Sequence, residues 1–180
     1  QRSSFVWKLI ASTALVALLT GCASVTVATY EDADLVFDPI EYFNGPLVAE
    51  GVVRGRNGEV SRYFNATIDA RWDENGGVLD EVFIWSDGER QTRVWNFERV
   101  GEQHYRGTAG DVVKPAEMRF AGNAVNMKYV LAVPMANGNT INVTMDDWLY
   151  QVNDKTLINV TQMNKFGIRV GEVVLTMRKL

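Results

Sequence analysis

The side chains with chemistry to offer in this chain are few, and most are carboxylates. His104 is the single histidine and Cys22 the single cysteine. A nucleophile needs a base within reach, and the usual base is His. His104, in Glu102-Gln103-His104-Tyr105 just after a turn, reads as a strand-end surface residue. No Gly-x-Ser-x-Gly elbow occurs, and one His without a free thiol cannot build a tetrahedral N/S metal set. The expectation is therefore no catalytic residue, no metal, no cofactor and no enzyme. Asp146-Asp147, beside Trp148, are neighbouring acids on a predicted strand. A period of two puts them on opposite faces of a strand, so they cannot serve together as an acid/base pair. One of them is then free to point inward and to pair with an Arg such as Arg62 or Arg93 as a structural ion pair. An enzyme acting on a lipid through Asp146 or Asp147 with Arg assistance is the weaker alternative. Asp87-Gly88-Glu89 and Gly110-Asp111 read as turns, because a Ca²⁺ loop requires denser oxygen ligands.

Aromatic residues are the one unusual abundance. Trp72, Trp85, Trp95, Trp148, Tyr129, Phe97 and Phe120 all fall on predicted strands, where each can simply fill a core. A closed barrel of more than about eight strands is wider than its side chains alone need fill, and ligand cavities occur in the mouths of such barrels. In Thr140-Ile141-Asn142-Val143-Thr144 and Ile158-Asn159-Val160-Thr161, alternation sets Asn and Thr on one face and aliphatics on the other. With the polar row inward the lumen is amphipathic. The lining residues expected on this basis are Trp72, Trp95, Tyr129 and Trp148, with Asn142 and Asp146.

The elements that must position these residues are strands. Phe64, Ala66, Ile68, Ala70 and Trp72 alternate with Tyr63, Asn65, Thr67, Asp69 and Arg71, the signature of a half-buried strand. Turn chemistry recurs at hairpin spacing, in Arg56-Asn57-Gly58, Asn75-Gly76-Gly77, Asp87-Gly88, Gly122-Asn123, Asn137-Gly138 and Asn153-Asp154. Between the turns lie β-rich runs at 47–54, 60–72, 78–85, 92–99, 104–109, 116–120, 124–133, 140–151, 156–163 and 171–178. Asp38-Pro39 is a helix start, Asp as cap and Pro at the first position, and Gly45-Pro46 ends that helix within a turn. The predicted fold is all-β: a single antiparallel up-and-down barrel of about ten strands with one short N-terminal helix, closure removing the edges that a meander would expose. Outward charges such as Arg71, Arg93 and Lys128 do not suit the apolar lipid-facing band of a transmembrane barrel.

What precedes the barrel reads as a leader. Basic Arg2 and Lys8 lead into an apolar run over 9–19, too short to span a bilayer as a mature helix. Leu19-Thr20-Gly21-Cys22 resembles the lipobox of bacterial lipoproteins, with Cys22 the first mature residue and the acylation site. Residues 1–21 are then a signal peptide, 22–34 a small, polar tether, and 35–180 the barrel domain. As the only cysteine, Cys22 leaves no intramolecular disulfide possible, and the barrel must be held by packing. The chain carries a net charge of −4, and losing Arg2 and Lys8 makes it more acidic. That balance gives no electrostatic reason to bind nucleic acid or an anionic membrane face, so anchoring falls to lipid. By the same resemblance the mature lipoprotein carries diacylglyceryl and N-acyl groups, more than the two signals stable anchoring requires. Ala23, where an inner-membrane retention signal would show Asp, points to the periplasmic face of the outer membrane.

Several segments carry a family likeness: Tyr42-Phe43-Asn44-Gly45-Pro46-Leu47, Trp95-Asn96-Phe97, Gly107-Thr108-Ala109-Gly110-Asp111-Val112, Met145-Asp146-Asp147-Trp148, Thr156-Leu157-Ile158-Asn159, and the stretch Lys165-Phe166-Gly167-Ile168-Arg169-Val170-Gly171-Glu172. Together, in order and across the whole mature domain, they resemble the proteobacterial lipoproteins grouped as domain of unknown function 3833. The resemblance implies a calycin or lipocalin-like barrel and gene neighbours that modify fatty acids; it assigns no activity. Leu47 stands where lipocalins carry the Trp of their Gly-x-Trp signature. Two functions of different class fit: a carrier that binds a lipid, fatty acid or other hydrophobic molecule in the barrel, or an assembly protein that holds an envelope partner through its surface.

Overall fold

The computed structural model describes residues 24–180; the expected signal peptide and Cys22 lie outside them. Ten strands follow one another as β1 (Gly45–Gly55), β2 (Val60–Asp73), β3 (Gly76–Trp85), β4 (Arg90–Gly101), β5 (His104–Thr108), β6 (Ala116–Ala121), β7 (Ala124–Pro134), β8 (Thr140–Asn153), β9 (Thr156–Lys165) and β10 (Ile168–Lys179). Each pairs antiparallel with the next, and β1 pairs with β10 from Leu47 opposite Lys179 to Gly55 opposite Gly171, which closes the barrel. All ten β-rich runs of the sequence are strands, and the period of two accounts for their sidedness. In β2 Phe64, Ala66, Ile68, Ala70 and Trp72 are buried, while Asn65, Thr67, Asp69 and Arg71 stay exposed.

One end of the barrel is plugged. Helix α1 (Pro39–Tyr42) starts where the Asp38 carboxylate accepts the Ile40 N–H at 2.8 Å, satisfying a donor that the first turn leaves free. The helix drops Phe37, Tyr42 and Phe43 into the barrel end, each no more than 3 % exposed. Phe37 meets Phe120 at 5.7 Å, Phe43 meets Trp72 at 5.2 Å, and Trp72 meets Phe97 and Tyr105 at 4.9 and 5.1 Å between ring centroids. The Tyr42 hydroxyl lies 2.9 Å from the carbonyls of both Lys155 and Met177, tying the plug to the C-terminal strands. Two glycines make room for the rings. Gly77 lies opposite Trp72 in the β2–β3 ladder, and a Cβ there would sit 2.3 Å from the indole. Gly107 plays the same part for Phe97, where a Cβ would sit 2.6 Å from the ring. The aromatic faces thus lie flat across bare backbone, a packing that any larger residue would break.

Residues read from sequence as a free tether are partly docked. Val27–Tyr30 form a 3₁₀ turn whose Tyr30 packs against Trp148 at 6.1 Å and Tyr150 at 5.4 Å on the outer surface of β8. Gly122, in the turn between β6 and β7, lets the Tyr30 carbonyl approach so closely that a Cβ would overlap it. The chain therefore reaches the barrel at its plugged end. Among the described residues no helix is long and apolar enough to cross a membrane.

Candidate functional site

Above the plug the barrel is hollow. A cavity of about 900 Å³ runs from Phe43 to the opposite end, where the turns after β1, β3, β5, β7 and β9 surround its mouth. That volume falls in the range of small-molecule sites. The lower wall is apolar, built by inward residues such as Leu79, Trp95, Phe97, Met118, Val125 and Leu149. At the mouth the Arg62 guanidinium lies over the Trp85 ring, 4.1 Å from its centroid, and bonds Asp87 and Glu89 at 2.8 and 2.9 Å.

Between wall and mouth sits a polar cluster that strand pairing assembles. Glu81 and Arg93 are direct partners in the β3–β4 ladder and point to the same face, as cross-strand pairs of opposite charge do. The Arg93 Nη1 is 3.8 Å from Glu81 Oε2, while Nε and Nη2 donate to Asp111 at 3.0 and 2.7 Å. Asp111 comes from the β5–β6 connection, which a bridge between Val112 and Leu131 folds against β7. Across the lumen Asp147 of β8 stands opposite Thr161 of β9, with Tyr129 of β7 beside it. Thr161 donates to Asn159 at 3.0 Å, and Asn159 donates to the Trp148 carbonyl at 3.2 Å. Glu81 Oε2 and Asp147 Oδ1 are sealed from solvent and have no hydrogen-bond partner.

Burial of a carboxylate disfavours its charged form, and here it dominates. Desolvation pushes Glu81 up to about 7, with Arg93 opposing and Asp111 and Asp147 adding to the rise. It pushes Asp147 up to about 6 against the hydrogen bonding of Thr161 and Tyr129. The same burial, reinforced by Asp147, raises the Tyr129 phenol well above its ordinary value. Between about pH 4 and pH 7 the folded protein therefore holds more protons at these two acids than the unfolded chain does, so stability falls as pH rises through that window. Asp87 and Glu117, held low chiefly by Arg62 and His104, act in the opposite sense, from the acid end of this window downward. We expect the ligand-free domain to be more stable at pH 5 than at pH 8 by a few kcal/mol, read as a higher urea midpoint, and the double variant Glu81→Gln/Asp147→Asn to lose that difference. Equal midpoints at the two pH values in the unaltered protein would contradict the buried, raised carboxyls.

The structure sorts the expected lining residues into three groups. Trp95 and Tyr129 stand in the cavity wall, their rings edge-on at 5.3 Å. Trp72 faces inward but lies beneath the cavity, inside the plug. Asn142, Asp146 and Trp148 require correction, because β8 turns Val143, Met145, Asp147 and Leu149 inward and these three outward. Asn142 is exposed, Asp146 accepts from Asn126 at 2.7 Å and faces Lys128 at 3.6 Å, and Trp148 is covered from outside by Tyr30. Of the two polar rows only that of β9, Asn159 and Thr161, enters the lumen. Arg93, expected on the outer face, points inward, whereas Arg71 and Lys128 do face out. The inward acid Asp147 is not Arg93's direct partner; Asp111 and Glu81 are.

Glu81 was not singled out from sequence, and Asp111 was read only as part of a turn. Glu81 shares its parity with Leu79, Phe83 and Trp85, an acid in an otherwise apolar row, and that was the available signal. Asp111 carried none, since only the tertiary path of its loop brings it to Arg93. His104 is half-buried at a strand end and pairs with Glu117 of β6. Among the described residues no group of three or more His, Cys, Asp or Glu is placed to hold a metal ion.

Solved structures are similar to this chain to differing degrees. The S-type phycobiliprotein lyase CPES from Guillardia theta is similar with a TM-score of 0.56 at 8 % identity, over 78 % of this chain and 90 % of that one. A de novo designed fluorescence-activating β barrel gives a TM-score of 0.43 at 12 % identity, over 81 % of this chain and 100 % of that one. At such identities the first likeness speaks to the lipocalin-like fold alone. No curated protein matches the sequence. The model of the family described as protein of unknown function (DUF3833) matches residues 16–179, nearly the whole of the chain and every strand of the barrel, and the chain belongs to that family.

Proposed function

We propose that this domain is a binding or carrier module that takes the apolar body of an amphipathic small molecule into its barrel, and that it does so as a lipoprotein held at the periplasmic face of the outer membrane through acylated Cys22. The observation that carries the binding reading is the cavity itself: about 900 Å³, plugged at one end and open at the other, apolar below and polar near the mouth. Well-packed interiors leave few voids larger than a water molecule, so a hollow of this size is a built feature. On this reading the protein holds its ligand rather than transforming it.

The anchor and the mouth then lie at opposite ends. The five residue steps from Cys22 to Val27 reach at most about 18 Å when extended, and the 3₁₀ turn they lead into is docked at the plugged end beside Gly122. The barrel wall is longer: the 12 residues of β10, at about 3.3 Å each and a tilt near 40°, rise about 30 Å. A lipid at Cys22 thus holds the plug toward the bilayer and turns the mouth to the aqueous side. Incorporation of labelled palmitate, lost in Cys22→Ser, tests the anchor.

The cavity is tested separately with N-phenyl-1-naphthylamine, a neutral apolar dye. We expect one dye per domain, bound with enhanced dye emission and quenching of Trp fluorescence, and at least about tenfold weaker binding in Val173→Trp. Val173 faces the lumen, and an indole there projects into the hollow and narrows it. Dye binding unaffected by that substitution, or no binding at all, would remove the carrier reading.

A further inference from the structure

We infer that the polar cluster above the cavity selects a cationic, hydrogen-bond-donating head group, of the primary-amine type, on an apolar chain, and discriminates against a carboxylate head of the same length. The inference rests on the carrier reading above and names the ligand class for that same site.

The charge inventory of the lumen carries the argument. Two guanidiniums border the cavity, Arg62 and Arg93, against four carboxylates, Glu81, Glu89, Asp111 and Asp147. Both cations are ion-paired. Arg93 is clamped by Asp111 through Nε and Nη2, with its remaining nitrogen toward Glu81. Arg62 lies flat on Trp85 and is taken by Asp87 and Glu89. An incoming carboxylate would find both guanidiniums already ion-paired, with only the buried Nε of Arg62 lacking a hydrogen-bond partner, and would add a further negative charge to a site already in excess.

The acceptors, by contrast, are waiting. Glu81 and Asp147 both line the cavity and are each only 7 % exposed, and each has an oxygen without a hydrogen-bond partner, that of Glu81 lying 3.8 Å from Arg93 Nη1. Leaving a buried acceptor unmade costs about 1–3 kcal/mol, more when it is charged. A group with several N–H donors and a positive charge satisfies both acceptors and matches the surplus. Burial pushes Glu81 toward its neutral form, up to about 7; an ammonium beside it reverses that push and holds it ionised. The apolar wall from Leu79 and Trp95 down to Phe43 receives the chain.

Three probes of one chain length, dodecylamine, dodecanol and laurate, isolate the head group. Each is titrated below its micellar concentration at pH 7.5 by displacement of N-phenyl-1-naphthylamine. We expect dodecylamine to bind at least about tenfold more tightly than laurate, with dodecanol between them. Glu81→Gln and Asp147→Asn each remove an acceptor charge with no change of shape, and each should weaken dodecylamine about tenfold while leaving dodecanol within about threefold, which also reports an intact fold. Asp69→Asn, an exposed acid on the outer face of β2, should change nothing and so separates the site from the charge of the whole protein. Laurate binding as tightly as dodecylamine, or amine affinity unmoved in both lumen variants, overturns the inference. If the dye itself does not enter, the carrier reading fails and takes this one with it; if the dye binds and the amine is not preferred, only this one fails.

Discussion

Trp72→Ala should destabilise the domain by about 3–5 kcal/mol, the upper range for loss of a buried aromatic, and should lower its melting temperature by about 10 °C. Trp72 is 5 % exposed and is the hub of the plug. It touches Phe43 from the helix segment, Phe97 from β4 and Tyr105 from β5, with ring centroids about 5 Å apart in each case. Aromatic pairs of this geometry add to the area they bury. The flat approach of the indole to Gly77 also leaves a slot that no neighbouring side chain fills once the ring is gone. Because the indole Nε1 is buried without a partner, the ring's value here is packing. Trp72→Phe should therefore recover most of the loss, although Phe has no N–H. A full loss in Trp72→Phe, or a change below about 1 kcal/mol in Trp72→Ala, would contradict the plug as the main source of cohesion at that end.

Arg93→Met is expected to cost a similar amount at pH 8, about 3–5 kcal/mol, for an electrostatic reason. Removing one partner of a buried ion pair leaves the others charged and unpaired. Here Asp111 loses a two-nitrogen clamp, Glu81 loses its nearest cation, and Asp147 loses a favourable charge across the lumen. The sign of the pH effect follows. At pH 5 both Glu81 and Asp147, already raised to about 7 and about 6, are mostly protonated, and the charge that Arg93 had to offset is smaller. The penalty of Arg93→Met should accordingly shrink as pH falls from 8 to 5, whereas the penalty of Trp72→Ala should not change. Urea unfolding at the two pH values checks this. A pH-independent penalty for Arg93→Met would mean that the Arg acts through its aliphatic stem and not through its charge.

The architecture was legible in the sequence because its signals are local. Alternation from Phe64 to Trp72 states which face of β2 is buried, Asp38-Pro39 states where the helix starts, and the Gly- and Asn-bearing turns state where strands reverse. Each of these is written within a few residues of the structure it specifies. The site was less legible because its parity is set by neighbours. β8 and β9 both offer a row of Asn and Thr beside a row of aliphatics, and nothing within either strand says which row faces in. The ladders decide: the inward Asp147 is opposite Thr161, which fixes Asn159 and Thr161 inside and Asn142, Asp146 and Trp148 outside. Trp148 looked like core because it is large and apolar. It is covered, but from the outer side, by a Tyr30 that the sequence placed in a loose tether.

Arg93 teaches the reverse lesson. It shares parity with Trp95 and Phe97, so the strand pattern pointed inward while the charge alone pointed outward. Charge was the poorer guide because a buried Arg is stable when carboxylates meet it, and those carboxylates, Glu81 and Asp111, come from another strand and a loop.

The hollow of the barrel, and its occupation by an apolar chain, is best tested by where a bound chain comes to rest. Trp95 lines the cavity and Trp148 lies on the outer surface, so the two report the inside and the outside of the barrel. 12-Bromododecanol, a neutral probe whose bromine quenches only indoles it touches, should quench the domain at a stoichiometry of one. The quenching should persist in Trp148→Phe and fall sharply in Trp95→Phe. Quenching that follows Trp148 instead, or no saturable quenching at all, would place the chain outside the barrel and contradict the account.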